Sequence, residues 1–206
     1  VAEQLLMAVG SASESGPANF YNVAGDARGQ AEFVSQIFMG VRLQCANCHD
    51  HPLDAWTQDD YHGLAAIFAR MKRGAMVRES TTGEVIHPAT GEPAVAKIPG
   101  GRLLSPEANY RTEFIEWLTS DTNAHFSKAT ANRVWSHLMG RGLVDPVDDL
   151  RVTNPATHPE LLDWLAKDLT SHEFKLKHLI RRICTSDAYS RGAIANSDPA
   201  TTAEFY

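Results

Sequence analysis

The sequence predicts a mainly α fold: a helical subdomain and a helical C-terminal half, with a small β-prone excursion between them. Apolar residues recur at helical spacing over most of the chain, and residues that start and stop helices stand at the ends of those runs. The stretch 75–104 breaks the pattern with short β-prone pieces set between Thr82-Gly83, Thr90-Gly91 and Pro99-Gly100-Gly101. The division that follows is 1–74, 75–104 as connecting segment, and 105–206. With 206 residues, 43% hydrophobic and 21% charged, the chain can bury a core, and no apolar run approaches membrane-spanning length. Lys and Arg number 19 against 25 Asp and Glu, a net charge of −6, which argues against nucleic acid as a partner.

Residues 1–9 read as a helical remnant, and 10–29, rich in Ser, Gly, Ala and Asn, as a long loop. From 30 to 43, Phe33, Ile37, Phe38 and Val41 predict an amphipathic helix running straight into Cys45. Thr57 and Asp60 form a capping-box start for a second helix carrying Tyr61, Leu64, Ile67, Phe68 and Met71. In the second half Ser105-Pro106 opens a helix with Tyr110, Phe114, Trp117 and Leu118. Another runs from about Asn123 through Ala131, Val134, Trp135 and Leu138 to a stop at Gly140. Thr157 and Glu160 cap a helix bearing Leu161, Leu162, Trp164, Leu165 and Leu169, and Leu176, Leu179, Ile180 and Ile183 form the last.

The chemistry concentrates in residues 45–49, Cys-Ala-Asn-Cys-His, the C-x-x-C-H pattern of covalent haem attachment. Two thiols at this spacing can add to the two vinyl groups of one porphyrin, and His49 then lies under the iron as its proximal ligand. A zinc site using Cys45, Cys48 and His51 lacks a second cysteine pair. A redox dithiol normally opens a helix in a βαβ setting, whereas this motif leaves a helix into His-Asp-His-Pro. Asp50, His51 and Asp54 stand close enough to orient His49 or to cap the loop. Cys184 reads as a small buried hydrophobe of the last helix.

Nine histidines and five methionines compete for the sixth iron position. Arg133 and His137 are four residues apart on one helix face, so that element offers both an iron ligand and a guanidinium for a haem propionate. His158, His87 and Met71 are alternatives, with Met76 behind them. His62, His125, His172 and His178 read as ordinary helix positions, and Met39 and Met139 as core filler.

Longer strings sharpen this reading. Phe38-Met-Gly-Val-Arg-Leu-Gln-Cys-Ala-Asn-Cys-His-Asp-His-Pro, Trp56-Thr-Gln-Asp-Asp-Tyr and Leu64-Ala-Ala-Ile-Phe resemble the cytochrome-like domain of unknown function abundant in secreted planctomycete proteins. Asn132-Arg-Val-Trp-Ser-His-Leu-Met-Gly-Arg-Gly-Leu-Val-Asp-Pro, His158-Pro-Glu-Leu-Leu-Asp-Trp-Leu-Ala and Leu176-Lys-His-Leu-Ile-Arg resemble the companion C-terminal domain of the same proteins. The resemblance implies export to the periplasm or beyond and haem c at Cys45, Cys48 and His49, and carries no settled activity. Members of the family are longer, which with Val1 in the first position gives the expectation of a processed piece of a longer protein.

The expected function is that of an extracytoplasmic monohaem c-type cytochrome passing single electrons through one covalent haem c. Its metal ligands are His49 and His137, and Arg133 holds a propionate. Exchange of electrons calls for a redox partner protein or for neighbouring copies, a homo-oligomer, that bring their haems close. The rival is an extracellular assembly or interaction protein in which the haem is structural or sensory. A haem enzyme with an open sixth position lacks a distal acid–base pair.

Overall fold

A single helix, α3 (Gln58–Phe68), organises the first part of the chain in the computed structural model, which describes residues 1–191. Its start is the capping box that the sequence predicts: the Thr57 hydroxyl accepts from the Asp60 amide at 3.2 Å, and the Asp60 carboxylate accepts from the Thr57 amide at 2.9 Å. Every residue from Asp60 to Phe68 is buried, the pattern of a helix covered on all sides. Gly63 makes that possible on one side. A methyl there would stand 2.5 Å from Lys97 Cβ, where the Lys97 amide donates to the Gly63 carbonyl.

Helices α1 (Ala2–Leu6) and α2 (Ala27–Val34) pack nearby, the second capped by Asp26. The expected long loop over 10–29 is more ordered than its composition implies. A 3-10 helix, Gly16–Asn22, buries Phe20 and Tyr21, and the Tyr21 hydroxyl donates to the Leu6 carbonyl. The expected helix from 30 into Cys45 is interrupted. After α2 the backbone widens into a π-helical turn, Ser35–Met39, and stops at Gly40 with φ +68°. The reason is close packing: a Cβ at Gly40 would meet Leu150 Cδ1 at 2.1 Å and Ala129 Cβ at 2.9 Å. Strands β1 (Gly10–Ser11), β2 (Met71–Lys72) and β3 (Met76–Glu79) form a small antiparallel sheet in the order β1-β3-β2. The bridges Ile86–Pro93 and Lys97–Leu103 complete the β excursion, so the fold is mainly α with a minor β element.

Further along lie α4 (Tyr110–Leu118), α5 (Ala124–Met139), α6 (Pro159–Ser171), α7 (Leu176–Cys184) and the short α8 (Asp187–Ser190). Asn109 rather than Ser105 caps α4, and Thr157 hydrogen-bonds the Leu143 carbonyl at 3.2 Å instead of capping α6. Two apolar cores result. The first runs from Leu6 to Leu118 and includes Phe114, Ile115 and Leu118 of α4; the second joins Ala131, Leu143, Val144, Leu162, Leu165, Leu169, Leu179 and Ile183. Helix α4, grouped with the second half by sequence, therefore packs with the first. Fully buried Asn132 pins the loop after α5, exchanging two bonds with the Val144 backbone at 2.8 and 2.9 Å. No helix among the described residues is long and apolar enough to cross a membrane.

Candidate functional site

A 3-10 turn, Gln44–Asn47, follows the Gly40 stop and carries Cys45, while Cys48 caps its end and His49 comes directly after. Leu43 and Ala46 are fully buried and anchor the turn, which leaves Cys45, Cys48 and His49 exposed and both thiols free. The turn is held from below by α3. The Asn47 carbonyl accepts from Gln58 Nε2 at 3.1 Å and from His62 Nε2 at 3.0 Å, and Asp50 accepts from the Gln58 amide at 2.8 Å. His49 Nδ1 lies 2.7 Å from the Asp50 carbonyl oxygen. A carbonyl only accepts, so Nδ1 carries the proton and Nε2 is left as the free, basic nitrogen. Asp60 stands behind this support, bonded to Lys97 at 2.7 Å and to the Gly100 amide at 2.8 Å. Burial alone would raise its carboxyl, but these bonds and those from Thr57 outweigh it and hold it below the ordinary range.

The segment after the motif closes on itself. The His51 amide donates to the Trp56 carbonyl at 2.8 Å, and His51 Nδ1 accepts from Leu53 at 3.2 Å, which commits that ring to its own loop. Two contacts tie the loop to the second half: the Thr153 hydroxyl donates to the Leu53 carbonyl at 3.2 Å, and the Trp56 and His125 rings lie 5.3 Å apart. Burial lowers the pKa of His125 and keeps it neutral. Beside it opens a cleft of about 320 Å³ lined by His125, Val144, Leu150, Val152, Pro155 and Leu162.

The other sequence candidates are placed differently from one another. Arg133 is half-buried and donates to the Ile37 carbonyl at 2.8 Å and the Gln36 carbonyl at 3.4 Å, so its guanidinium joins α5 to the π turn. His137 stands exposed in the last turn of α5, and His158 is exposed at the start of α6. Arg133 and His137 share a helix face in sequence, yet among the described residues no hydrogen bond or ring contact joins either to residues 45–49. Met71 is 2% exposed in the first core, Met76 is 56% exposed on β3, and Cys184 is half-buried and reduced.

Sequence reasoning passed over two histidines that the structure brings to the motif. His125 sits against Trp56, a contact across 69 positions that no local pattern carries. His62 is fully buried, with Nδ1 unpartnered and its ring 4.9 Å from that of His87, whose Nε2 lies 3.1 Å from Asp59. Burial lowers the His62 pKa, with the Asn47 bond working against it. A signal existed: the segment around His62 is apolar on every face, so any residue within it is covered.

Metal-ligand geometry discriminates between readings of the motif. Among the described residues the one group of three or more His, Cys, Asp or Glu side chains whose ligand atoms lie within 4.8 Å of one another is Asp168, His172 and His178. Cys45, Cys48 and His49 or His51 do not converge in this way, as a zinc ion requires.

The fold and site thus define a mainly α, two-core protein that presents C-x-x-C-H on an outward turn supported by buried side chains. Residues 5–73 match the family model PSCyt2, described as a protein of unknown function (DUF1549), and residues 110–204 match PSD1, described as a protein of unknown function (DUF1553). The chain carries this planctomycete-type domain pair. No curated protein and no solved structure matches it.

Proposed function

We propose that the chain is an extracytoplasmic monohaem c-type cytochrome, with Cys45 and Cys48 as thioether anchors and His49 as proximal ligand. The observation that carries this reading is the state of the three donors. Both thiols are free and exposed, and the Asp50 carbonyl fixes the His49 tautomer with Nε2 available, the orientation a ligating histidine needs. When bound, haem supplies one-electron redox chemistry at iron, and the protein tunes it through ligands and burial. Gln58, His62 and Asp50 hold the turn in register, so the anchors and the ligand keep their relative positions without reorganising.

The second half contributes the other side. His125, neutral and placed against the motif loop beside the apolar cleft, replaces His137 as the distal candidate. The buried Trp56 indole N–H has no hydrogen-bond partner among the described residues, and a carboxylate-bearing ligand offers it an acceptor. A second reading, a structural or sensory haem in an extracellular assembly, draws on the exposure of all three donors, which leaves an edge open to a neighbouring protein.

The test is a pyridine-haemochrome spectrum of protein produced with a haem-attachment system and then extracted with acid acetone. Haem retained by the polypeptide supports the cytochrome, and its complete extraction overturns it. Replacement of His125 by Ala is expected to convert a low-spin spectrum to high-spin, while His137→Ala leaves it unchanged.

A further inference from the structure

We propose that Asp168, His172 and His178 form a binding site for a divalent transition metal, best suited to zinc, which staples α6 to α7. The site is independent of the haem motif and shares no residue with it. Asp168 lies in the last turn of α6, His172 caps that helix, and His178 comes from the first turn of α7. Between them the chain reverses through Glu173 and Phe174, both with positive φ, 56° and 55°, and Phe174 is held by the Phe126 ring at 4.9 Å. The reversal lays the His172 and His178 rings together, centroids 3.7 Å apart and planes within 13°.

The carboxylate faces both rings. Asp168 Oδ2 lies 2.7 Å from His178 Nε2, while His172 Nδ1 is 2.8 Å from the Asp168 carbonyl oxygen and 3.6 Å from Oδ1. One ligand atom from each of the three residues falls within 4.8 Å of the others. That set, two imidazoles and one carboxylate, is a recurrent zinc donor set, with water in the fourth position. Solvent reaches it: the side chains of His172, His178 and Asp168 are 43%, 27% and 9% exposed. The carbonyl end of a 13-residue helix also favours a cation at this place. On binding, the metal takes the position of the proton that His178 shares with Asp168, and that proton leaves to solvent; His172, whose Nδ1 proton faces the Asp168 carbonyl, ligates through its unprotonated nitrogen, or through Nδ1 once that proton has moved to Nε2.

One group competes. Arg182 approaches Asp168 Oδ1 at 3.8 Å, but its guanidinium also lies over the Trp164 ring at 5.5 Å and is half-exposed, so it can leave the carboxylate without losing its other seat. This competition separates a metal site from a purely structural ion pair. Removal of Arg182 would weaken an ion-pair cluster and strengthen a metal site.

The experiment is calorimetric titration of the intact chain with zinc, alongside Asp168→Asn, His178→Gln, Arg182→Ala and the Cys45→Ser/Cys48→Ser pair, each checked by circular dichroism. The expected result is one micromolar site that survives loss of the cysteines. It weakens at least tenfold in Asp168→Asn and in His178→Gln, and it tightens severalfold in Arg182→Ala. Should one carboxylate or histidine variant fail to fold, the other carries the test. Zinc binding abolished by the cysteine changes alone, or unaltered in the folded Asp168 or His178 variant, overturns the site. So does an Arg182→Ala protein that binds zinc more weakly than the parent.

Discussion

Two regions of this molecule gather ligand-bearing side chains, and they do so in opposite ways. On the turn at 45–49 the donors are exposed above a buried support, in which the Gln58 side chain and the fully buried His62 hold the Asn47 carbonyl. At the α6–α7 corner the donors converge on one another at the surface, with two stacked imidazoles over one carboxylate. A diverging set suits a large group bound at several points, whereas a converging set suits a single ion. The difference lies in what stands behind each: the first rests on an all-round buried helix, and the second on a chain reversal between two amphipathic helices. Perturbing the support should therefore cost much in the first region and little in the second.

The largest effect is expected from Phe114→Ala. Phe114 is fully buried in the first core, and its truncation should cost about 3–5 kcal/mol in urea unfolding. Hydrogen exchange should show α3 and the motif turn losing protection while α6 and α7 keep theirs; uniform loss would show that the two cores act as one. Next comes Gly40→Ala, which meets Leu150 and Ala129 and imposes a positive φ on a side chain. A loss of about 2–3 kcal/mol is expected in the same assay, and a neutral result would show that the seam between the regions is loose.

How far this contrast is legible in sequence depends on range. The capping box at Thr57 and Asp60 and the Gly140 stop are local patterns, and the structure has them where the sequence places them. The break at Gly40 is not local: it answers to Ala129 and Leu150, roughly ninety and more positions away, so periodicity alone extends the helix to Cys45. That α4 packs into the first core is not legible for the same reason, because an apolar stripe names a buried face without naming what covers it. The motif itself is visible as five residues, while its support by His62 and its contact through Trp56 to His125 depend on tertiary packing. His172 and His178 read as surface residues, since only the reversal at Glu173-Phe174 turns them toward each other.

A smaller effect follows from His62→Phe, which removes the bond to Asn47. The expected loss is about 1–2 kcal/mol at neutral pH, together with faster alkylation of Cys45 and Cys48 as the turn loosens. The pH dependence has a definite sign. The folded His62 and His125 pKa values lie below the unfolded value near 6.5, so the unfolded chain takes up protons first as pH falls. Stability should therefore be full above about pH 6.5 and decline below it, and His62→Phe should flatten that decline in urea midpoints measured from pH 7.5 to 5.5. An equally steep decline in the variant would assign the effect elsewhere. Smallest of all is His178→Ala without zinc, about 0.5–1 kcal/mol for a partly exposed pair. A loss as large as that of Phe114→Ala would abolish the contrast between the two regions.

The central claim is that the outward turn carries covalent haem, and intact mass under denaturing conditions addresses it directly. Protein made with a haem-attachment system should show the polypeptide plus one haem, with Cys45 and Cys48 both resistant to alkylation and Cys184 still reactive. A mass equal to the bare polypeptide, with all three thiols alkylated, would contradict the account.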